Sequence, residues 1–82
     1  PYGEIDIIAS TSSSLVFAEV KARPSYAEAA HAITPAQRRR LLAAAEVYLA
    51  LHPTSRDIQF DVFLVKARTF PVHLKNVLWS DT

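Results

Sequence analysis

What most constrains this chain is a set of strand-forming segments that are apolar on both sides. Residues 58–66 place Phe60, Val62 and Leu64 at one parity, with Phe63 and Val65 at the other. Residues 15–21 set Val16, Ala18 and Val20 against Leu15 and Phe17. Residues 4–9 read as a third strand, with Ile5 and Ile7 on one side and Ile8 on the other. Side chains alternate across a strand, so a segment apolar at both parities is buried on both faces. A sheet of that kind needs helices on both faces. The chain supplies one clear helix. Its start is Thr34-Pro35-Ala36-Gln37: an N-cap threonine, a proline at the first helical position and a glutamine to close a capping box. The pattern runs to Leu51 or His52 and stops at Pro53, with Leu41, Ala45, Tyr48 and Leu49 on the stripe that faces the sheet. Thr11 to Ser14 make the first hairpin loop, because hydroxyl side chains bond nearby backbone groups. Residues 26–31 read as a short helix or irregular loop. A last strand, 72–78, enters after Pro71 and suits a sheet edge. The expected architecture is α/β, with one sheet face left bare.

Composition narrows the classes. With 82 residues the chain has a ceiling of one small domain, residues 1–82, burying about 60% of its unfolded surface. Half of the residues are hydrophobic, which argues against disorder. No apolar run approaches the roughly 18 residues of a membrane span. The absence of cysteine removes disulfide frameworks, thiol nucleophiles and cysteine-based zinc sites, and fits a cytoplasmic location. Nine basic and eight acidic residues leave +1, so any nucleic-acid case must come from where the charges lie. The chain has no methionine and opens on Pro1. Together with the bare face, this leads us to expect either a homodimer or a piece of a longer protein.

The hairpin carries the chemistry. If Thr11 to Ser14 form the loop, Ser10 pairs with Leu15, Ile8 with Phe17, Asp6 with Glu19 and Glu4 with Lys21. Opposed like charges repel, and one acid of such a pair has a raised pKa unless a cation intervenes. Carboxylate oxygens are what Mg²⁺ or Mn²⁺ binds, so Asp6 and Glu19 are candidate metal ligands. Lys21, two residues from Glu19, projects from the same face, where it suits a phosphate transition state.

An acid followed by Glu-x-Lys on the next strand resembles the PD-(D/E)xK nucleases, here Asp6 and Glu19-Val20-Lys21. The chain is similar, more closely, to the YraN-like family of uncharacterised bacterial proteins within that restriction-endonuclease-like superfamily. The matching blocks are Gly3-Glu4-Ile5-Asp6-Ile7-Ile8, Val16-Phe17-Ala18-Glu19-Val20-Lys21-Ala22-Arg23, Ala32-Ile33-Thr34 leading into the helix through Arg40, and Phe60-Asp61-Val62. The resemblance implies a mixed sheet flanked by helices, with the first helix and strand of an αβββαβ core absent from this chain. It implies a metal-dependent endonuclease acting on DNA or RNA, structured or branched, with Asp6, Glu19 and Lys21 catalytic. It also makes Gln37 and Arg38, at the first turn of the helix, candidates for nucleic-acid contact; Arg23, just beyond the Glu-x-Lys strand, suits a phosphate contact and equally a surface arginine.

Each residue has a plainer reading. The three charges at the hairpin end suit a solvated surface, and Glu4 serves equally as a second acid or as a cross-strand partner of Lys21. Arg39 and Arg40 fall on the helix face turned to solvent. Asp61 interrupts a strand built for burial, so it needs an arginine or backbone partner. His31, His52 and His73 lie too far apart for a local ligand motif, and Tyr26, Tyr48 and Trp79 are not interleaved with basic residues. The rival expectation is a non-catalytic nucleic-acid-binding or protein-interaction module on the same scaffold.

Overall fold

A computed structural model describes residues 5–22 and 33–77. Its elements are β1 (Ile7–Ser10), β2 (Ser14–Ala22), α1 (Pro35–Leu51), β3 (Asp57–Val65) and β4 (Val72–Leu74). The four strands form one mixed sheet in the order β1-β2-β3-β4. β1 and β2 are antiparallel, β2 and β3 parallel, and β3 and β4 antiparallel. The parallel step is the one bridged by α1, as a parallel pair requires a crossover. The molecule is thus α/β, with a four-stranded mixed sheet and a helix on it.

The hairpin register is the one the loop dictates, with Ser10 opposite Leu15 and Ile8 opposite Phe17. The Thr11 hydroxyl accepts from the amides of Ser13 and Ser14 at 3.3 and 3.0 Å, so the side chain organises the turn. Arg56 Nε donates to the Thr11 carbonyl at 2.8 Å and pins the loop to the start of β3.

Leu15, Phe17, Leu41, Ala45 and Phe60 make the main core between sheet and helix. Phe17, 1% exposed, stacks on Phe60 at 5.4 Å and meets Tyr48 edge-on at 5.7 Å. Burying one such side chain contributes about 3 kcal/mol. The helix starts as its sequence requires: the Thr34 hydroxyl accepts from the Gln37 amide at 3.1 Å, and Pro35 opens the first turn. It ends at Leu51, where the His52 amide closes on the Tyr48 carbonyl at 2.8 Å ahead of Pro53. A second cluster, Val62 and Leu64 with Ile33, Val72, Leu74 and Val77, extends the core towards β4.

Two sequence expectations are corrected. Ile5 and Ile7 do not share a side: Ile5 and Ile8 both pack on the main core, while Ile7 is exposed. Residues three apart cannot share a face in a regular strand. The cause lies at Asp6, whose amide donates to the Ala18 carbonyl at 3.1 Å although Ile7 is the Cα partner of Ala18. Two residues therefore address one, the arrangement of a β-bulge, and the alternation resets. The last strand is also shorter than expected, ending at Leu74. Asn76 takes a left-handed conformation (φ 54°) and its amide turns to the Asp61 carboxylate, after which the Val77 amide bonds the Phe60 carbonyl. The chain folds back before a longer ladder can form.

The face of the sheet away from α1 carries a shallow concavity of about 410 Å³ lined by Ile7, Ala9, Val16, Ala18, Asp61 and His73, among others. No described element covers it, and Ile7 and Val20 stand 42% and 40% exposed there. No helix among the described residues is long and apolar enough to cross a membrane.

Candidate functional site

Glu19 and Lys21 leave β2 on the face that carries Leu15 and Phe17, beyond the aromatic part of the core. Glu19 is buried, at 8% exposure, and Lys21 is half-buried. Lys21 Nζ lies 3.9 Å from Glu19 Oε1, an ion pair longer than a hydrogen bond. A carboxylate held out of water carries a solvation cost that a solvated hairpin end does not, and the neighbouring ammonium offsets part of it.

Asp6 reaches this point by another route than strand opposition. Because the bulge resets the register, its carboxylate does not simply face Glu19. Asp6 Oδ2 accepts at 2.8 Å from the amide of Val20, the residue between Glu19 and Lys21. The side chain continues the β1 ladder beyond Ile7, where the backbone pairing stops. Two carboxylates and an ammonium are thereby gathered at one end of β2, with Asp6 exposed and Glu19 buried.

These residues fit a hard divalent cation in their donor chemistry. Mg²⁺ is held through one or two carboxylates while it keeps several waters, whereas zinc selects nitrogen and sulfur ligands. Asp6 Oδ1 makes no bond to the described residues, so one oxygen of that carboxylate is available. Among the described residues, no group of three His, Asp or Glu side chains gathers at this or any other point. Among the described residues, the candidate donors at this point are the carboxylates of Asp6 and Glu19.

The other expected residues divide. Gln37 is buried in the first turn of α1 and Arg38 is half-buried beside it, while Arg39 and Arg40 are exposed, as the helical wheel requires. Arg23 and Glu4 lie outside the described residues, as do Tyr26, His31 and Trp79.

Asp61 finds a fuller set of partners than an arginine or one backbone group. It is 3% exposed, on the sheet face opposite to Glu19. Its oxygens accept from Gln59 Nε2 at 3.0 Å and from the Asn76 amide at 3.1 Å. His73 Nε2 lies 2.6 Å from Oδ2 and donates to it, since an ionised carboxylate only accepts. Burial alone would push this carboxyl up; the bonds from His73, Asn76 and Gln59, with the charge of His73, hold it below its ordinary value. The His73 ring stacks on Phe63 at 4.3 Å, which fixes its plane. Sequence reasoning saw that Asp61 needed a partner but not that it was His73. The cross-strand pairing of Phe63 with His73 places that ring two residues along from Asp61, on the same face of the sheet.

A profile of the uncharacterised protein family UPF0102 matches residues 1–65, the stretch that holds the hairpin, the helix and β3. The chain belongs to that family. This is the relationship that the Gly-Glu-Ile-Asp and Val-Phe-Ala-Glu-Val-Lys blocks pointed to. A UPF0102 protein of Rhodopseudomonas palustris strain BisA53 is 45% identical over 76 residues, 90% of this chain and 58% of its own length. One from Bradyrhizobium sp. strain BTAi1 is 46% identical over 76 residues, covering 90% of this chain and 56% of its own length. One from Nitrobacter winogradskyi is 45% identical over 84 residues, 100% of this chain and 71% of its own length. The chain thus spans little more than half of several curated UPF0102 relatives. Their names assign no activity to the family.

Proposed function

We propose that this chain carries the metal-binding end of a nuclease that hydrolyses phosphodiester bonds of DNA or RNA on a restriction-endonuclease-like scaffold. The observation that carries the reading is the junction on β2: a buried Glu19, Lys21 at 3.9 Å, and Asp6 bonded to the amide of Val20, the residue between them. The order β1-β2-α1-β3 fits the later part of an αβββαβ core, with β4 following it at the sheet edge, which supports the scaffold. Asp6 and Glu19 would hold Mg²⁺ or Mn²⁺. Bound there, such an ion lowers the pKa of a water and shields phosphate charge. Lys21 presents an ammonium to a non-bridging phosphate oxygen and stabilises the charge that develops on it. Glu19, buried beneath the site, keeps its orientation without solvent competition. Gln37 and Arg38, in the first turn of α1, are the candidates to contact the nucleic acid there, with Arg23 beyond β2.

The test is incubation of the full-length protein with branched, flapped, single-stranded and duplex substrates in Mg²⁺ or Mn²⁺. Cleavage that is abolished by both Asp6→Ala and Glu19→Ala is the expected outcome. Cleavage of no substrate, or cleavage that survives these substitutions, removes the enzyme from the reading.

A second reading has one specific observation in its favour. The Asp6 carboxylate already serves the Val20 amide, a structural role that needs no metal. On that account the domain is a non-catalytic nucleic-acid-binding or protein-interaction module. Calorimetric titration with Mg²⁺ separates the two, because the module predicts no binding that Asp6→Asn abolishes. Asparagine keeps an oxygen for the Val20 amide, so loss of binding in that variant reports on charge rather than on folding.

A further inference from the structure

The turn between β3 and β4 has no part in the candidate site, yet it stands beside it. β2 and β3 run parallel with Lys21 opposite Leu64 and Ala22 opposite Val65. The chain that leaves β3 after Val65 therefore emerges at the end of the sheet where Glu19 and Lys21 lie. That turn reads Lys66-Ala67-Arg68-Thr69-Phe70-Pro71. Phe70 is 92% exposed, the most exposed of the large hydrophobic side chains in the described residues. A single exposed apolar side chain needs no explanation by itself. The surroundings of Phe70 are less ordinary. Arg68 sits in the left-handed region (φ 66°), which is unfavourable for a residue with a Cβ. The turn is held in that shape by Thr69, whose amide and hydroxyl both donate to the Lys66 carbonyl, at 3.3 and 3.1 Å. Arg68, Thr69 and Phe70 border a surface concavity of about 260 Å³. The backbone is tied down at a strained residue, and the ring beside it is highly exposed.

Charge placement adds a second line. The whole chain is +1, but residues 62–80 contain Lys66, Arg68 and Lys75 and no acid. Two of these, Lys66 and Arg68, lie in the turn that carries the exposed ring. A phenyl ring between basic side chains is the combination that holds single-stranded nucleic acid: the ring stacks on a base while the cations follow the backbone.

We infer that the 66–71 turn is a nucleic-acid finger in which Phe70 stacks on an unpaired base and Arg68 and Lys66 contact the flanking phosphates. Resting on the reading of the β2 site as a nuclease centre, it narrows the substrate to strands with unpaired nucleotides: single strands, flaps or branch points. A base-paired duplex offers no free base face to Phe70, so duplex is the weaker ligand.

Fluorescence anisotropy on the full-length protein in EDTA tests this without any need for cleavage. The probes are a labelled single-stranded oligonucleotide and the same sequence as a duplex. Phe70→Ala weakens single-strand binding by about tenfold and duplex binding much less, while Phe70→Trp keeps it. Arg68→Ala weakens both ligands and flattens the dependence on salt. Wild-type affinity in Phe70→Ala, equal losses on single strand and duplex, or no binding of either oligonucleotide overturns the finger. So does Phe70-dependent binding to anionic phospholipid vesicles without binding to oligonucleotides. A fall in the Tm of Phe70→Ala with unchanged binding also overturns it, and marks Phe70 as a packing contact. Metal-free binding that depends on Phe70, followed by no cleavage in Mg²⁺, leaves the finger standing and removes the nuclease. Cleavage that proceeds with Phe70→Ala binding as wild type does the reverse.

Discussion

Two carboxylates are buried in this sheet, one on each face, and they are treated differently. Asp61 is enclosed by donors: Gln59, the Asn76 amide and His73 all reach it within 3.1 Å. Glu19 faces the helix side and has Lys21 at 3.9 Å, a charge nearby but not a hydrogen bond. The Asp61 arrangement satisfies an ion and ties three pieces of chain together, β3, β4 and the turn at Asn76. The Glu19–Lys21 pair, by contrast, lies within one strand, β2. Buried acids therefore do not report function by burial alone. On the proposed reading Asp61 is the structural clamp and Glu19 the candidate metal ligand.

The largest effect that would break this comparison is on cleavage. On the proposed nuclease reading, Glu19→Gln should slow cleavage about a thousandfold, several kcal/mol of transition-state stabilisation. It changes unfolding stability by less than about 1 kcal/mol. Asp61→Ala does the opposite. It strands His73, Gln59 and the Asn76 amide, and costs about 3 kcal/mol, read as a Tm lower by more than about 10 °C. On the same reading, its cleavage per folded molecule, assayed below that Tm, should stay at the wild-type level. If Glu19→Gln unfolds the protein and Asp61→Ala abolishes turnover, the two acids have been assigned the wrong way round.

Acid sharpens the contrast at a smaller scale. The Asp61 carboxyl titrates lower in the folded chain than in the unfolded one, so the unfolded state takes up its proton first as pH falls. Its stabilisation is present in full above the ordinary carboxylate range and is lost as pH drops below about 4, towards the folded value. Urea midpoints measured from pH 7 to acid should fall in that window for the wild type. Asp61→Asn, less stable throughout, should show a shallower acid limb. An unchanged limb in Asp61→Asn would mean that other carboxylates carry the acid sensitivity.

Much of the fold was legible because it rests on short-range signals. Thr34-Pro35 opened the helix and Pro53 closed it; the Thr11 hydroxyl set the hairpin, and with it the pairing of Ile8 with Phe17. The family blocks pointed to Asp6, Glu19 and Lys21, and the structure brings them to one end of β2. The bulge at Asp6 was not legible, because a strand period of two gives no notice of the residue at which it resets. The same holds for β4, which ends where Asn76 turns to Asp61, a bond between residues fifteen apart in the chain. The partner of Asp61 was hidden for the same reason, since His73 becomes its neighbour only through the pairing of β3 with β4. Phe70 was within reach of the sequence. Lys66-x-Arg68-x-Phe70 interleaves basic and aromatic residues, but only its exposure separates it from a core phenylalanine such as Phe60 in the strand before it.

The smallest effect concerns what holds the helix over the Glu19 face. The Thr34 hydroxyl takes the Gln37 amide at 3.1 Å, and Gln37 is the first buried residue of the helix stripe that continues through Leu41 and Ala45. Thr34→Ala leaves that amide without its side-chain acceptor and costs about 1 kcal/mol in urea unfolding. Asp61 lies on the other face of the sheet, and its donors come from β3, β4 and the turn at Asn76, none of them from the helix. The cap variant should therefore lower stability by the same amount at pH 7 and at pH 3, displacing the acid limb without reshaping it. Doubling it with Asp61→Asn should give additive losses, as independent sites do. A coupling above about 0.5 kcal/mol would show that the two faces of the sheet are not separate, and that the clamp at Asp61 also positions the helix above Glu19.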